Sequence, residues 1–86
     1  MYLILVYDLD KKRVAKMLKL CRRYLHWIQN SVLEGEITEV KLKELLAEAK
    51  GIMKNKDSLI TFKSRNEKWL EKEVYGAEKN TLGNIL

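Results

Sequence analysis

Six consecutive apolar or aromatic residues, Tyr2-Leu3-Ile4-Leu5-Val6-Tyr7, head this chain and stop abruptly at Asp8. The run is rich in strand formers and reads as a buried central strand. Side chains alternate along a strand, so Tyr2, Ile4, Val6 and Asp8 share one face while Leu3, Leu5 and Tyr7 share the other. Both faces are apolar, and both need cover. The carboxylate at the end of the run is costly to desolvate unless something pairs with it.

A chain of 86 residues makes one domain, and a domain that small has a thin core, for which oligomerisation is a common remedy. With 47% hydrophobic and 34% charged residues, the composition is that of a soluble globular protein. The opening apolar run is too short to span a bilayer and has neither the basic leader nor the small-residue cleavage site of a secretory signal. A cytoplasmic protein with no membrane partner is therefore expected. Cys21, the single cysteine, has no disulfide partner and no metal-ligand spacing around it, and is expected as a buried apolar residue. The 17 basic and 12 acidic residues leave a net charge of +5, which suggests a polyanionic partner without identifying it.

Beyond Asp8 the apolar spacing becomes helical. Val14, Met17, Leu18, Cys21 and Leu25 fall on one side of a helix predicted from about Lys11 to Leu25, with Asp10 as its N-cap. Lys12, Lys16, Lys19 and Arg23 form a stripe on the opposite side. A basic stripe is ordinarily a solvated face. Here no acidic residue lies between Lys11 and Leu25, so pairing within the helix does not account for it, and phosphate contact stands as an equal alternative.

His26-Trp27-Ile28-Gln29 and Val32 to Ile37 read as a hairpin turning at Asn30-Ser31, because asparagine tolerates the positive φ of a tight turn. Gly35 within the second strand implies a bulge or a close backbone approach. His26, the only histidine, has no partner histidine or cysteine beside it and is given a structural or surface role. A second helix is predicted from its cap, Thr38, to about Met53, with Leu42, Leu45, Leu46, Ala49 and Met53 as the apolar face. Glu39 in the first turn and Lys50 and Lys54 near the end suit the helix dipole. Asn55-Lys56-Asp57 is a loop, and Ser58 to Lys63 a further strand.

The order strand, helix, strand, strand, helix, strand predicts an α+β fold of the ferredoxin-like βαββαβ type, an antiparallel sheet with two helices on one face. The helices leave the other face bare, and a second copy stacked sheet to sheet in a two-fold dimer is the economical cover. The chain is read as a single domain over 1–86, with a core of about 1–63 and a C-terminal dimerisation arm of about 64–86. Within the arm, Trp69 and Leu70 are anchors, Glu73-Val74-Tyr75 is a short extra strand, and Thr81 to Leu86 either reaches onto the partner subunit or frays.

Three features then converge: a strand ending Val6-Tyr7-Asp8, the basic Lys12-Arg13, and the hairpin Ile28-Gln29-Asn30-Ser31-Val32-Leu33-Glu34-Gly35. They resemble the small CRISPR-associated endoribonuclease family, the smaller of the two universal CRISPR adaptation proteins. Arg65-Asn66-Glu67-Lys68 and Glu78-Lys79-Asn80 resemble the tails of some branches, so the likeness covers essentially the whole chain. A strand ending in aspartate is a weak signature; the hairpin motif at its proper distance from that aspartate is a strong one. Leu33 stands where the family usually has phenylalanine, and both are apolar. The resemblance implies a ferredoxin-like homodimer that associates with the larger CRISPR integrase in spacer acquisition, and a magnesium-dependent nuclease acting on RNA or DNA. The family's catalytic, metal-binding aspartate maps onto Asp8, and a second acid that often follows it onto Asp10.

One carboxylate is a poor site for Mg2+, which prefers hard oxygen ligands in octahedral geometry and keeps several waters. In a two-fold dimer, Asp8 of each subunit is expected to face its mate and share an ion that polarises the scissile phosphate and activates water. Lys11, Lys12, Arg13 and Lys16, near the start of the first helix, are the expected nucleic-acid contacts. Doubled by a dimer, they suit the backbone of duplex DNA, with single-stranded RNA as a further ligand, and position it without reading sequence. Three functions compete. One is an adaptation subunit that binds DNA as a scaffold, with or without endonuclease chemistry. Another is a free-standing, toxin-like, metal-dependent endoribonuclease of the same fold. The third, a single-strand RNA-binding module of the same topology, is set aside because Val32 to Ile37 holds no aromatic residue on which a base could stack.

Overall fold

The computed structural model describes residues 1–65, together with Glu73 and Tyr75. The elements run β1 (Tyr2–Asp8), α1 (Lys11–Cys21), β2 (His26–Gln29), β3 (Val32–Glu36), α2 (Glu39–Ile52) and β4 (Ser58–Ser64). The sheet order is β2-β3-β1-β4, with every neighbouring pair antiparallel. This is the ferredoxin-like arrangement expected from the element order, and the apolar opening run lies between two strands as its length of unbroken hydrophobicity required.

Alternation along β1 decides where the core sits. Leu3, Leu5 and Tyr7 turn toward the helices and are buried with Met17, Leu20 and Cys21 of α1, Leu33 of β3, and Leu42 and Leu45 of α2. Each such side chain contributes about 1.5–3 kcal/mol of transfer free energy, so this layer holds the domain together. Burial also pushes the Cys21 thiol up to about 12, as befits the inert core residue expected there. No helix among the described residues covers the opposite face of the sheet. There Ile4 is registered with Phe62 and Val6 with Ile60 across β1 and β4, and Ile60 and Phe62 are 53% and 55% exposed. No helix among the described residues is long and apolar enough to cross a membrane.

Local details depart from the sequence reading at two points. The first helix ends at Cys21 rather than Leu25: the chain tightens, Arg23 N–H donating to Leu20 O at 3.1 Å and Tyr24 N–H to Cys21 O at 3.0 Å. This early turn lets Leu25 reach the core, 5% exposed, one residue before β2 begins. The irregularity in the hairpin falls in β2 between Trp27 and Gln29, while Gly35 pairs regularly with Leu3. A Cβ at Gly35 would make only ordinary contact, 3.5 Å from Leu25 Cδ2 and from His26 Cδ2. Asn30 does turn the hairpin with φ of 40°, as its residue type implied. The readings placed on Trp69, Leu70, the strand over 73–75 and the arm over 81–86 lie outside the described residues, apart from the exposed Glu73 and Tyr75.

Candidate functional site

The period-2 geometry of β1 carries Asp8 to the face opposite α1 and α2, in register with Ser58 and two residues beyond Val6. Its side chain is exposed. The chain then leaves the sheet, and Asp10, with φ of −57° and ψ of 142°, starts α1 by accepting the Lys12 N–H at 3.0 Å. Asp10 therefore works as the expected N-cap, with one carboxylate oxygen committed to the backbone.

A third acid, Asp57 from the loop between α2 and β4, ties this turn together. Its carboxylate accepts the Asp10 N–H at 3.0 Å, the Lys54 N–H at 2.8 Å, and Arg13 Nε and Nη2 at 2.7 and 3.0 Å. The Arg13 contact is a two-pronged guanidinium–carboxylate pair, the strongest geometry available to these groups. It is well sheltered, the Asp57 side chain being 2% exposed and that of Arg13 22%. The Arg13 guanidinium above all, then the two backbone N–H groups, hold the Asp57 carboxyl well below the usual carboxylate range against the opposing effect of burial. The same contact raises the Arg13 guanidinium further. Between these segments lies an open groove of about 510 Å3, lined by Asp8, Asp10 and Arg13 from the β1–α1 turn and by Lys54, Lys56 and Asp57 from the loop before β4.

The cations expected to meet phosphate divide into two groups. Lys11, Lys12 and Lys16 are exposed on α1 and have no ion pair among the described residues. Arg13, expected beside them, has two of its three nitrogens on Asp57. Along the same stripe, Arg23 Nη2 donates to Glu48 Oε1 of α2 at 2.8 Å, and the Tyr24 hydroxyl donates to the other oxygen at 2.9 Å. The basic helix is thus partly balanced by acids from outside it.

Residues 1–72 match the model of the family described as CRISPR associated protein Cas2. The chain belongs to the Cas2 family. A relative in Dictyoglomus turgidum, called CRISPR-associated endoribonuclease Cas2, is 47% identical over the whole of both chains. One of the same name in Thermotoga maritima is 44% identical over 99% of each. A solved structure titled crystal structure of cas2 superposes with a TM-score of 0.84 at 38% identity, covering 94% of this chain and 92% of that one. Streptococcus pyogenes Cas2 superposes with a TM-score of 0.78 at 25% identity, covering 88% of this chain and all of its own. Cas2 membership is what the hairpin motif and the strand-end aspartate led us to expect.

Within this Cas2 domain the donor set at the groove suits magnesium only sparingly. No group of three His, Cys, Asp or Glu side chains gathers as a metal cluster among the described residues. Asp10 is engaged as a cap and Asp57 by four donors, which leaves Asp8 as the carboxylate presented outward. A single hard-oxygen ligand fits an ion that keeps most of its waters and takes one or two carboxylates. His26 opens β2, at the far edge of the sheet from β4, and does not line the groove. Sequence reasoning missed Asp57, Lys54 and Lys56. Lys54 signalled only a favourable charge near the end of the second helix, and Lys56 and Asp57 only membership of a polar loop; nothing in either pointed across the domain to Arg13.

Proposed function

We propose that this chain is the DNA-binding, homodimeric subunit of CRISPR adaptation, a scaffold for the CRISPR integrase that also hydrolyses phosphodiester bonds with magnesium held by Asp8. The observation that carries this reading is the shared face of Asp8 and the bare apolar strip. Ile4, Val6, Ile60 and Phe62 make a patch that a second sheet covers, and Asp8 stands at the end of it in the same strand. A two-fold stack over that strip therefore brings two Asp8 carboxylates to one interface. Together they supply the oxygen ligands that one chain lacks.

When bound, the ion supplies Lewis-acid polarisation of the phosphate and a more acidic water. The chain's own residues hold and orient the nucleic acid. Lys11, Lys12 and Lys16 take backbone phosphates of duplex DNA, which positions it without reading its sequence. Arg13, with its Nε–H and one Nη2–H committed to Asp57, has fewer donors left for phosphate and chiefly fixes the turn that presents Asp8. A free-standing, toxin-like endoribonuclease is the second reading, favoured by the endoribonuclease name that the relatives carry.

Asp8→Ala distinguishes the two. The expected result is that cleavage of RNA and DNA in magnesium falls by at least about a hundredfold while spacer acquisition with the integrase continues. Acquisition lost together with cleavage makes the chemistry essential and favours the enzyme reading. Cleavage that survives the substitution removes Asp8 from the reaction altogether.

A further inference from the structure

We propose that the loop between α2 and β4, through Lys54, Asn55 and Lys56, is a second phosphate-binding arm, taking the duplex DNA backbone at the Asp8 groove in addition to the contacts made by α1. The proposal deepens the nucleic-acid reading above and rests on it. Lys54, Asn55 and Lys56 are all exposed and line the same groove as Asp8. The two lysines have no ion pair among the described residues. The acid nearest to them in sequence, Asp57, is held by Arg13 and by the Lys54 and Asp10 N–H groups, so its charge is already paired with a guanidinium rather than with either lysine.

The arm is also held in place before any ligand arrives. Asp57 N–H donates to Lys54 O at 2.9 Å while the Asp57 carboxylate accepts Lys54 N–H at 2.8 Å, closing the loop on itself. The bonds to Asp10 N–H and Arg13 then fix the closed loop to the start of α1. Ordering of the backbone is thus already met, and binding has only the lysine side chains to immobilise. Electrostatics calls for such an arm. Asp8 repels a phosphate that approaches it directly, so a strand entering the groove needs cations within the groove to offset that acid. Lys11, Lys12 and Lys16 of α1 do not line the groove, whereas Lys54 and Lys56 do.

The test is the salt dependence of duplex DNA binding by the full chain, measured in EDTA so that nothing is cleaved. Each phosphate contact removed from B-DNA makes the log–log slope shallower by about 0.9. Lys54→Gln/Lys56→Gln is expected to make it shallower by about 1.8, and by about 3.6 if both protomers engage the same duplex. Lys43→Gln/Lys50→Gln, an equal change of charge on exposed α2 positions outside the groove, is expected to leave the slope unchanged. The altered side chains are exposed, and matching thermal melts confirm that the fold is kept. A Lys54→Gln/Lys56→Gln slope equal to that of the wild type, or to that of the α2 variant, overturns the arm and leaves the scaffold reading standing. A wild-type affinity insensitive to salt overturns both.

Discussion

Asp57 is the residue on which the site's geometry turns, and its charge is what holds it there. Its carboxyl lies well below the usual range because ionisation is rewarded by Arg13 and by two backbone N–H groups. A carboxyl depressed in the folded state stabilises the fold above its unfolded pKa of about 3.9, and that contribution fades as pH falls toward the folded value. Thermal melts of the wild type and Asp57→Asn from neutral pH down through about pH 4 and below check this. The variant is expected to melt lower at neutral pH, and the gap is expected to narrow as the solution is acidified below about pH 4. A gap constant with pH assigns the stabilisation to packing rather than to the charge. Asp8 and Asp10 were legible from the sequence because their roles follow from a strand ending and a helix starting beside them. Asp57 was not, since its guanidinium partner lies 44 residues away. Arg13 was read as free for phosphate because within its own helix it has no acid to meet.

At the scale of elements, α1 shows how a cap and a ligand position are told apart. Asp10 occupies the position where a second acid follows the strand-end aspartate, yet one of its oxygens is committed to Lys12 N–H. Asp10→Ala is expected to lower stability by about 1 kcal/mol by denaturant unfolding, the ordinary cost of losing an N-cap. Asp10→Ser, an equally good cap, is expected to recover most of that and to leave magnesium-dependent cleavage intact. Loss of cleavage in a stable Asp10→Ser protein makes Asp10 a ligand as well. The helix starts were readable because Asp10 and Thr38 announce them locally, and both accept backbone N–H groups. The end of α1 was not, because Leu25 has the right spacing to continue a helix. What stops it there is the need to enter β2 at His26 with Leu25 still buried.

Over the whole molecule, the unequal faces of the sheet are the main unmet demand. One face is closed by two helices, while Phe62 and Ile60 stay more than half exposed beside Ile4 and Val6. Light scattering at micromolar concentration is expected to give a dimer, with a melting temperature that rises with protein concentration. Phe62→Glu, which sets a charge in the middle of the strip, is expected to halve the mass while the helix-side core still folds. A wild-type monomer, or a Phe62→Glu dimer as tight as the wild type, removes the sheet-to-sheet stack. It removes with it the pairing of Asp8 carboxylates.

The order of elements, their faces, the caps and the strand-end acid were written in the sequence, because each depends on residues within a turn or two of one another along the chain. Which cations remain available to a phosphate depended on the fold. Arg13 and Arg23 meet acids 44 and 25 residues away. Those meetings exist only because β4 lies beside β1 and α2 beside α1, and no local pattern of charge encodes a partner that the sheet and the helix pair must first bring close.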